Sequence, residues 1–278
     1  MDTTKLDEIR NKIKESSDFI RSKINIKPEI SIILGTGLGK LAEEVEKKVV
    51  IPYKDIPNFP ISTAPTHAGN LIIGEISGKK VMVMQGRFHS YEGYTQKQIT
   101  FPIRVMKSLG VHTLINTCAT GGLNRHFNSG DLMLISDHIN LTGSNPLIGL
   151  NDPELGPRFP VMFNAYDPEL RKLAHKVALD NNIRLQEGVY AGISGPVFLT
   201  ASELRSIMLL GADSIGMSIV PEVIVARHSN LRVLGIASIT DIAIPDYGHH
   251  ADETEILNTA KQSEEKFCKL LKNILKEI

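Results

Sequence analysis

No sign of charge dominates this chain of 278 residues: 31 Lys and Arg stand against 31 Asp and Glu. A neutral balance gives no general attraction to nucleic acid or to an anionic membrane surface. No apolar run approaches the roughly 18 residues that a membrane span requires. Met1 to Asn11 is charged and mostly polar with no apolar core, so a signal peptide is not expected. The two cysteines, Cys118 and Cys268, fall in different contexts without metal-ligand spacing. They are expected to be free thiols in a reducing, cytoplasmic setting. His249 and His250 beside Asp252 read as a solvated loop, and no metal is expected. There is no Ser-His-Asp or G-x-S-x-G signature and so no suggested covalent nucleophile. Repeats and linkers are also missing, so residues 1–278 are expected to form one domain, with an N-terminal helix over about 4–25 packed on it.

What is present is a series of short β-branched runs, each followed by a polar or glycine-rich loop and then a helical pattern. Ile30–Leu34, Leu71–Ile76, Lys80–Met84, His112–Asn116, Asp131–Ser136, Gln186–Ile193, Ser214–Met217 and Leu231–Ile239 read as strands. Helices are expected from Leu38 to about Val45, Ile99–Leu109, Asp167–Asp180, after the capping box Thr200-Ala-Ser-Glu203, over Val223–Arg227 and over Asp252–Ile278. Such alternation implies an α/β fold with a mixed, mainly parallel central sheet flanked by helices. Sheets of that kind bind ligands beyond their strand ends.

The strand-end loops carry the chemistry. Gly35-Thr-Gly-Leu-Gly39, between a strand and a helix start, suits a phosphate cradle or a plain tight turn. It fails the dinucleotide fingerprint because Lys40 takes the third glycine's place, and it is not a P-loop. A nicotinamide-dependent oxidoreductase built on this turn is therefore a minor alternative. Thr63-Ala-Pro-Thr-His-Ala-Gly69 is a second polar loop and Thr117-Cys-Ala-Thr-Gly-Gly-Leu123 reads as another glycine turn. Met84-Gln-Gly-Arg-Phe-His-Ser-Tyr-Glu-Gly-Tyr94 gathers guanidinium, imidazole and phenol donors suited to an anion and a sugar. Residues 142–163 form a long unpatterned loop, a length usually reserved for function or disorder.

The run Gln85-Gly-Arg-Phe-His-x-Tyr-Glu-Gly-Tyr94, followed by Thr100-Phe-Pro-x-Arg-Val105, resembles the trimeric purine nucleoside phosphorylases, a family that includes methylthioadenosine phosphorylases. The likeness runs from about Ile30 to the C-terminal helix. It implies a phosphorylase-like three-layer fold. It also implies reversible phosphorolysis of purine (deoxy)ribonucleosides to free base and (deoxy)ribose 1-phosphate, in a pathway of purine salvage. No cofactor is implied, since inorganic phosphate is a co-substrate. By resemblance, Thr36, His67, Arg87, His89, Ala119 and Ser218 contact phosphate. Tyr91, Phe159, Tyr190, Phe198, Leu199, Met217, Asp241, His250 and Glu253 line the nucleoside site, with Asp241 and His89 as the catalytic pair. Phe159 would reach a neighbouring subunit of a homotrimer; simple interface packing is the competing reading.

Departures from the family pattern bear on the base. Members specific for 6-oxopurines carry Glu directly after the Phe of Gly-Pro-x-Phe and Asn at the tip of the last strand. Leu199 and Asp241 stand there, which suggests a preference for 6-aminopurines. The Gly216-Met-Ser218 segment looks instead like the 6-oxopurine enzymes. Near the 5′ position, Glu253 takes the place of the family histidine, with His250 as a substitute. Cys118 and Thr120 depart from Asn-Ala-Ala-Gly-Gly but stay small. A binding-only paralog and a methylthioadenosine phosphorylase remain alternatives.

Overall fold

Alternation of side chains builds the centre of the molecule. Ile30 and Ile32 pack into one apolar layer and Ile33 into the opposite one; Val81 and Val83 against Met82 and Met84 repeat the pattern. A strand buried on both faces must do this, because successive residues point to opposite sides. The computed structural model describes residues 3–64, 68–248 and 251–278. Its strands are β1 (Ile30–Ile33), β2 (Glu46–Pro52), β3 (Asn70–Ile76), β4 (Lys79–Gln85), β5 (Thr113–Gly122), β6 (Leu132–Asn140), β7 (Leu185–Gly192), β8 (Ser214–Gly216) and β9 (Arg232–Ile242). Its helices are α1 (Thr3–Arg21), α2 (Gly39–Glu43), α3 (Gln96–Ile99), α4 (Phe101–Leu109), α5 (Pro168–Asp180), α6 (Ala201–Leu209), α7 (Val220–His228) and α8 (Glu253–Glu277). None of the described helices is long and apolar enough to cross a membrane.

All these strands join one sheet in the order β2-β3-β4-β1-β5-β8-β7-β6-β9. The sheet is mixed. The parallel pairings are β1–β4, β1–β5, β5–β9, β6–β7 and β7–β8, a narrow majority over the antiparallel ones. Because β9 also pairs with β5, the strands from β5 to β9 close into a ring, which no local pattern announces. Helices α1, α4 and α7 cover one face, and α2, α5 and α8 the other.

Several expected elements hold. Ser77 and Gly78, both at positive φ (53° and 78°), turn β3 into β4. Gly110 stops α4 in the left-handed region at φ 105°, and the Thr200/Glu203 box caps α6. Others need correction. Thr117–Leu123 is not a turn: β5 continues to Gly122, with Gly121 paired to Ile215 on one side and Asp241 on the other. The missing side chains let two strands flank this end of β5. Strand β2 escaped notice because its residues are mostly exposed and carry no apolar alternation. The helix expected over Ile99–Leu109 is split into α3 and α4, with Pro102 in the first turn of α4. Helix α1 ends at Arg21, short of the expected 25.

Candidate active site

A cavity of about 450 Å³ opens where the β1, β4, β5, β8 and β9 ends converge under the start of α8. Thr36, Arg87, His89, Tyr91, Ala119, Phe198, Leu199, Met217, Ser218, Asp241 and Glu253 all line it. These residues are spread over more than 200 positions of sequence. His67 and His250 lie outside the described residues. Two further expected residues are not on its wall. Tyr190 is fully buried behind it, and its hydroxyl accepts from the Ser218 backbone N–H at 3.1 Å. Phe159 is 85% exposed on the long loop and contributes nothing to this chain's own cavity.

Each wall has a local cause. At β1, Gly35 lies so close to β5 that an added Cβ would stand 2.6 Å from the Cys118 Cα. Its N–H donates to the Thr117 hydroxyl at 3.0 Å. That contact sets Thr36 at the cavity edge. Of the two readings of this turn, the geometry of the helix end favours the plain turn. Helix α2 is only five residues long, and its Lys40 N–H already donates to the Glu264 carboxylate at 2.9 Å. The loop side chain, not the helix end, is what this turn offers.

Arg87 is 2% exposed, and its guanidinium is held by the protein on several sides. Nε meets the buried Glu222 carboxylate at 3.1 Å, Nη1 donates to the Thr117 carbonyl, and Nη2 donates to Asn116 Oδ1. Glu222 comes from the first turn of α7, so this helix fixes the guanidinium plane. His89 stacks on Tyr91 with ring centroids 4.6 Å apart and 14° between planes. Glu92 supports His89 twice, through the backbone N–H at 2.8 Å and Nδ1 at 3.2 Å. Burial pushes the Glu92 carboxyl up, but bonds from His89 and Thr63 outweigh it and hold the group down at about 2. It is therefore an anion that orients the imidazole through one ring nitrogen.

Ser218 is placed by backbone strain. Ile219 adopts φ 67°, ψ −59°, and the Val220 N–H donates back to the Ser218 carbonyl at 2.7 Å. That is a γ-turn of the strained kind, on a fully buried β-branched residue. It turns β8 into α7 within three residues and leaves Ser218 at the cavity. Gly216 is required there, because a Cβ would stand 2.4 Å from the Tyr190 hydroxyl.

At β9, a bulge puts Thr240 opposite no partner: Thr120 pairs with Ile239 and Gly121 with Asp241. Consecutive residues Thr240 and Asp241 therefore both face the cavity, the kind of re-aiming that bulges provide. Asp241 is 6% exposed, and one carboxylate oxygen accepts from the Thr240 hydroxyl at 3.2 Å. Leu199 lines the cavity and also packs on a small apolar cluster with Leu204, Ile207 and Ile215. Cys118 is part of the wall too; burial pushes its thiol up to about 12, so it stays protonated and unreactive.

Some of these walls lie outside the residues expected from the sequence. Thr120, Thr240, Ile256 and Leu257 line the cavity, and Glu222, Asn116 and Glu92 hold its charged groups. A Glu three residues after His89 is a readable cap signal. The bulge and the α8 wall have no local signature. Among the described residues, no cluster of His, Cys, Asp or Glu is arranged to hold a metal.

A model of the Phosphorylase superfamily matches residues 29–276. The chain is 49% identical over 269 residues to purine nucleoside phosphorylase 1 of Geobacillus stearothermophilus, covering 97% of this chain and 98% of that protein. The chain belongs to the purine nucleoside phosphorylase family. It is also 46% identical over 260 residues to the Bos taurus member, covering 91% and 90%. Among solved structures, isoform 2 of the Schistosoma mansoni family member, in complex with cytosine and ribose-1-phosphate, superposes with a TM-score of 0.93 at 42% identity over 96% of each chain. A Schistosoma mansoni family member in complex with adenosine gives 0.91 at 43% identity, again over 96% of each chain.

Proposed function

We infer that this cavity phosphorolyses purine nucleosides, making the chain a pentosyltransferase. The observation that carries the reading is the convergence in one cavity of Arg87, His89, the hydroxyl residues Thr36 and Ser218, the rings of Tyr91 and Phe198, and the buried carboxylate of Asp241. Phosphate is held by Thr36, Arg87, His89 and Ser218, with His67 and the backbone near Ala119 assisting. A phosphate oxygen forms a bond to C1′ as the bond from C1′ to the purine N9 breaks. The electron pair leaves with the base. The sugar passes through an oxocarbenium-like state, covered by Tyr91, Met217 and Phe198. Asp241 hydrogen-bonds or protonates the purine N7, which stabilises the departing base. Phosphate supplies both the nucleophile and the new C1′ substituent, so the balance needs no further cofactor.

The base preference is for 6-aminopurines. The Leu199 side chain accepts no hydrogen bond, so a buried N1–H of hypoxanthine or guanine would be left unmet there. While one Asp241 oxygen carries the proton that goes to N7, the other accepts from a 6-amino group; the same accepting oxygen would repel O6. The Schistosoma structures include complexes with adenosine and with guanosine, so likeness of fold does not separate the bases. Phe159 completes the sugar pocket of a neighbouring copy in a homotrimer; its exposure and that of Val161 and Phe163 on the same loop, 74% and 82%, support this. Purine salvage in the cytoplasm suits such an enzyme. The test is a phosphate-dependent panel of adenosine, inosine, guanosine and methylthioadenosine. Release of free base only with phosphate supports the reaction. Guanosine faster than adenosine overturns the base preference, and methylthioadenosine fastest moves the substrate to the 5′-thio class.

A further inference from the structure

A second polar site lies at the C-terminal end of α7, whereas the substrate cavity meets the residues that lead into its N-terminal end. Two adjoining cavities of about 560 and 600 Å³ sit between α1, α4, the end of α7 and the 146–157 loop. They share Arg104, Leu155 and His228, and no residue of either lines the substrate cavity.

Arg104 is the centre of this region. It projects from α4 and is mostly buried. Its Nη1 donates to the Leu155 carbonyl at 3.1 Å and the Ser229 hydroxyl at 2.8 Å, and meets His228 Nδ1 at 2.7 Å. All of these partners are neutral. Burial, then the charge of Arg104, holds the His228 imidazole down at about 4. Burial lowers Arg104 itself only to about 10, so it stays a cation at neutral pH. The acid whose charge acts on it is Asp152, and that carboxylate is taken by Arg10 from α1, with two bonds of 2.6 Å. Arg10 also holds Glu154 at 2.9 Å. Among the described residues no carboxylate pairs with Arg104.

The surrounding charge has the same sign. The smaller cavity is lined by Arg10, Lys14, Arg104 and Lys107; Asp152 and Glu154 take Arg10 and Asp18 takes Lys14, which leaves the charges of Arg104 and Lys107. The chain as a whole is neutral, so this excess is local. A buried cation without a counter-ion is costly, and proteins either pair it or leave it facing a ligand. The planar guanidinium of Arg104 and the ammonium of Lys107 at the mouth suit an anion with several oxygens. The apolar walls from Ile13, Pro153, Leu155 and Pro157 leave room for an organic group beside it.

We propose that this cavity binds a phosphate-type dianion, free or as a phosphomonoester, at Arg104 and Lys107, separately from the substrate site. Equilibrium dialysis of the whole protein with labelled orthophosphate, in buffer free of other oxyanions, tests it. The wild-type chain should take up about two phosphates, one in each cavity. Arg104→Gln should retain the substrate-site phosphate and weaken the other by about tenfold or more, as loss of a charged partner implies. Lys107→Gln, an exposed change that leaves the fold intact, should weaken the same site by a smaller factor. Competition by ribose 5-phosphate stronger than by sulfate assigns the site to a phosphomonoester; equal competition assigns it to free oxyanions. A single phosphate per wild-type chain that neither variant weakens, or two that neither variant disturbs, overturns the proposal. Loss of the substrate-site phosphate alone would count against the phosphorolysis reading and not against this one.

Discussion

Exchanging Leu199 and Asp241, the two residues proposed to face the base, is the sharpest perturbation. Leu199 and Asp241 stand on the same cavity, one half-buried and apolar, the other 6% exposed and ionisable. Toward guanosine or inosine, Leu199 leaves the N1–H without an acceptor. An unmet buried donor costs about 1–3 kcal/mol, or about 5- to 150-fold in kcat/KM. The double variant Leu199→Glu with Asp241→Asn supplies the acceptor and removes the repulsion at O6. The ratio of kcat/KM for guanosine over adenosine should rise by at least that factor. Leu199 also packs on Leu204 and Ile207, so a carboxylate there loses apolar contact worth about 1–3 kcal/mol of stability. A thermal melt followed by circular dichroism separates that loss from the change in specificity, because a ratio of substrates on one preparation is insensitive to the folded fraction. An unmutated enzyme that already prefers guanosine refutes the reasoning, and so does a double variant whose ratio stays put.

Three other outcomes follow from the same geometry. Arg87→Ala should raise the KM for phosphate far more than that for nucleoside. Because it strands the buried Glu222, it should also lower stability by about 3–5 kcal/mol; unchanged phosphate dependence, read in initial rates, removes the phosphate role. Sedimentation at assay concentration should show a trimer, and Phe159→Ala should reduce activity while leaving the far-UV circular dichroism of the chain unchanged, since the ring is exposed in the single chain; a fully active monomer ends the cross-subunit role. Glu92 has a folded-state pKa below its unfolded value, so its stabilisation is complete above pH 4.5 and is lost as pH falls toward 2. Urea midpoints across that window should fall more steeply for the wild type than for Glu92→Gln, and parallel curves would contradict the assignment.

Local pattern determined a good part of this protein. Strands buried on both faces announce themselves as β-branched runs, and glycine at position 110 or the Thr200 box marks a helix end wherever the rest of the chain lies. The loop from Met84 to Tyr94 shows its donors side by side because they are neighbours in sequence. Tertiary structure decided what depends on strands meeting. Residues 117–122 read as a turn because glycines usually break strands, yet pairing on both sides makes them the centre of the sheet. The bulge that turns Thr240 and Asp241 to one face exists only in the register between β5 and β9. Arg87 looks like a free loop cation in the sequence; Glu222, which lies 135 residues away, buries and orients it. Hydrogen-bond partners across such distances leave no periodic trace, so a site assembled from them becomes visible only when the chain is folded.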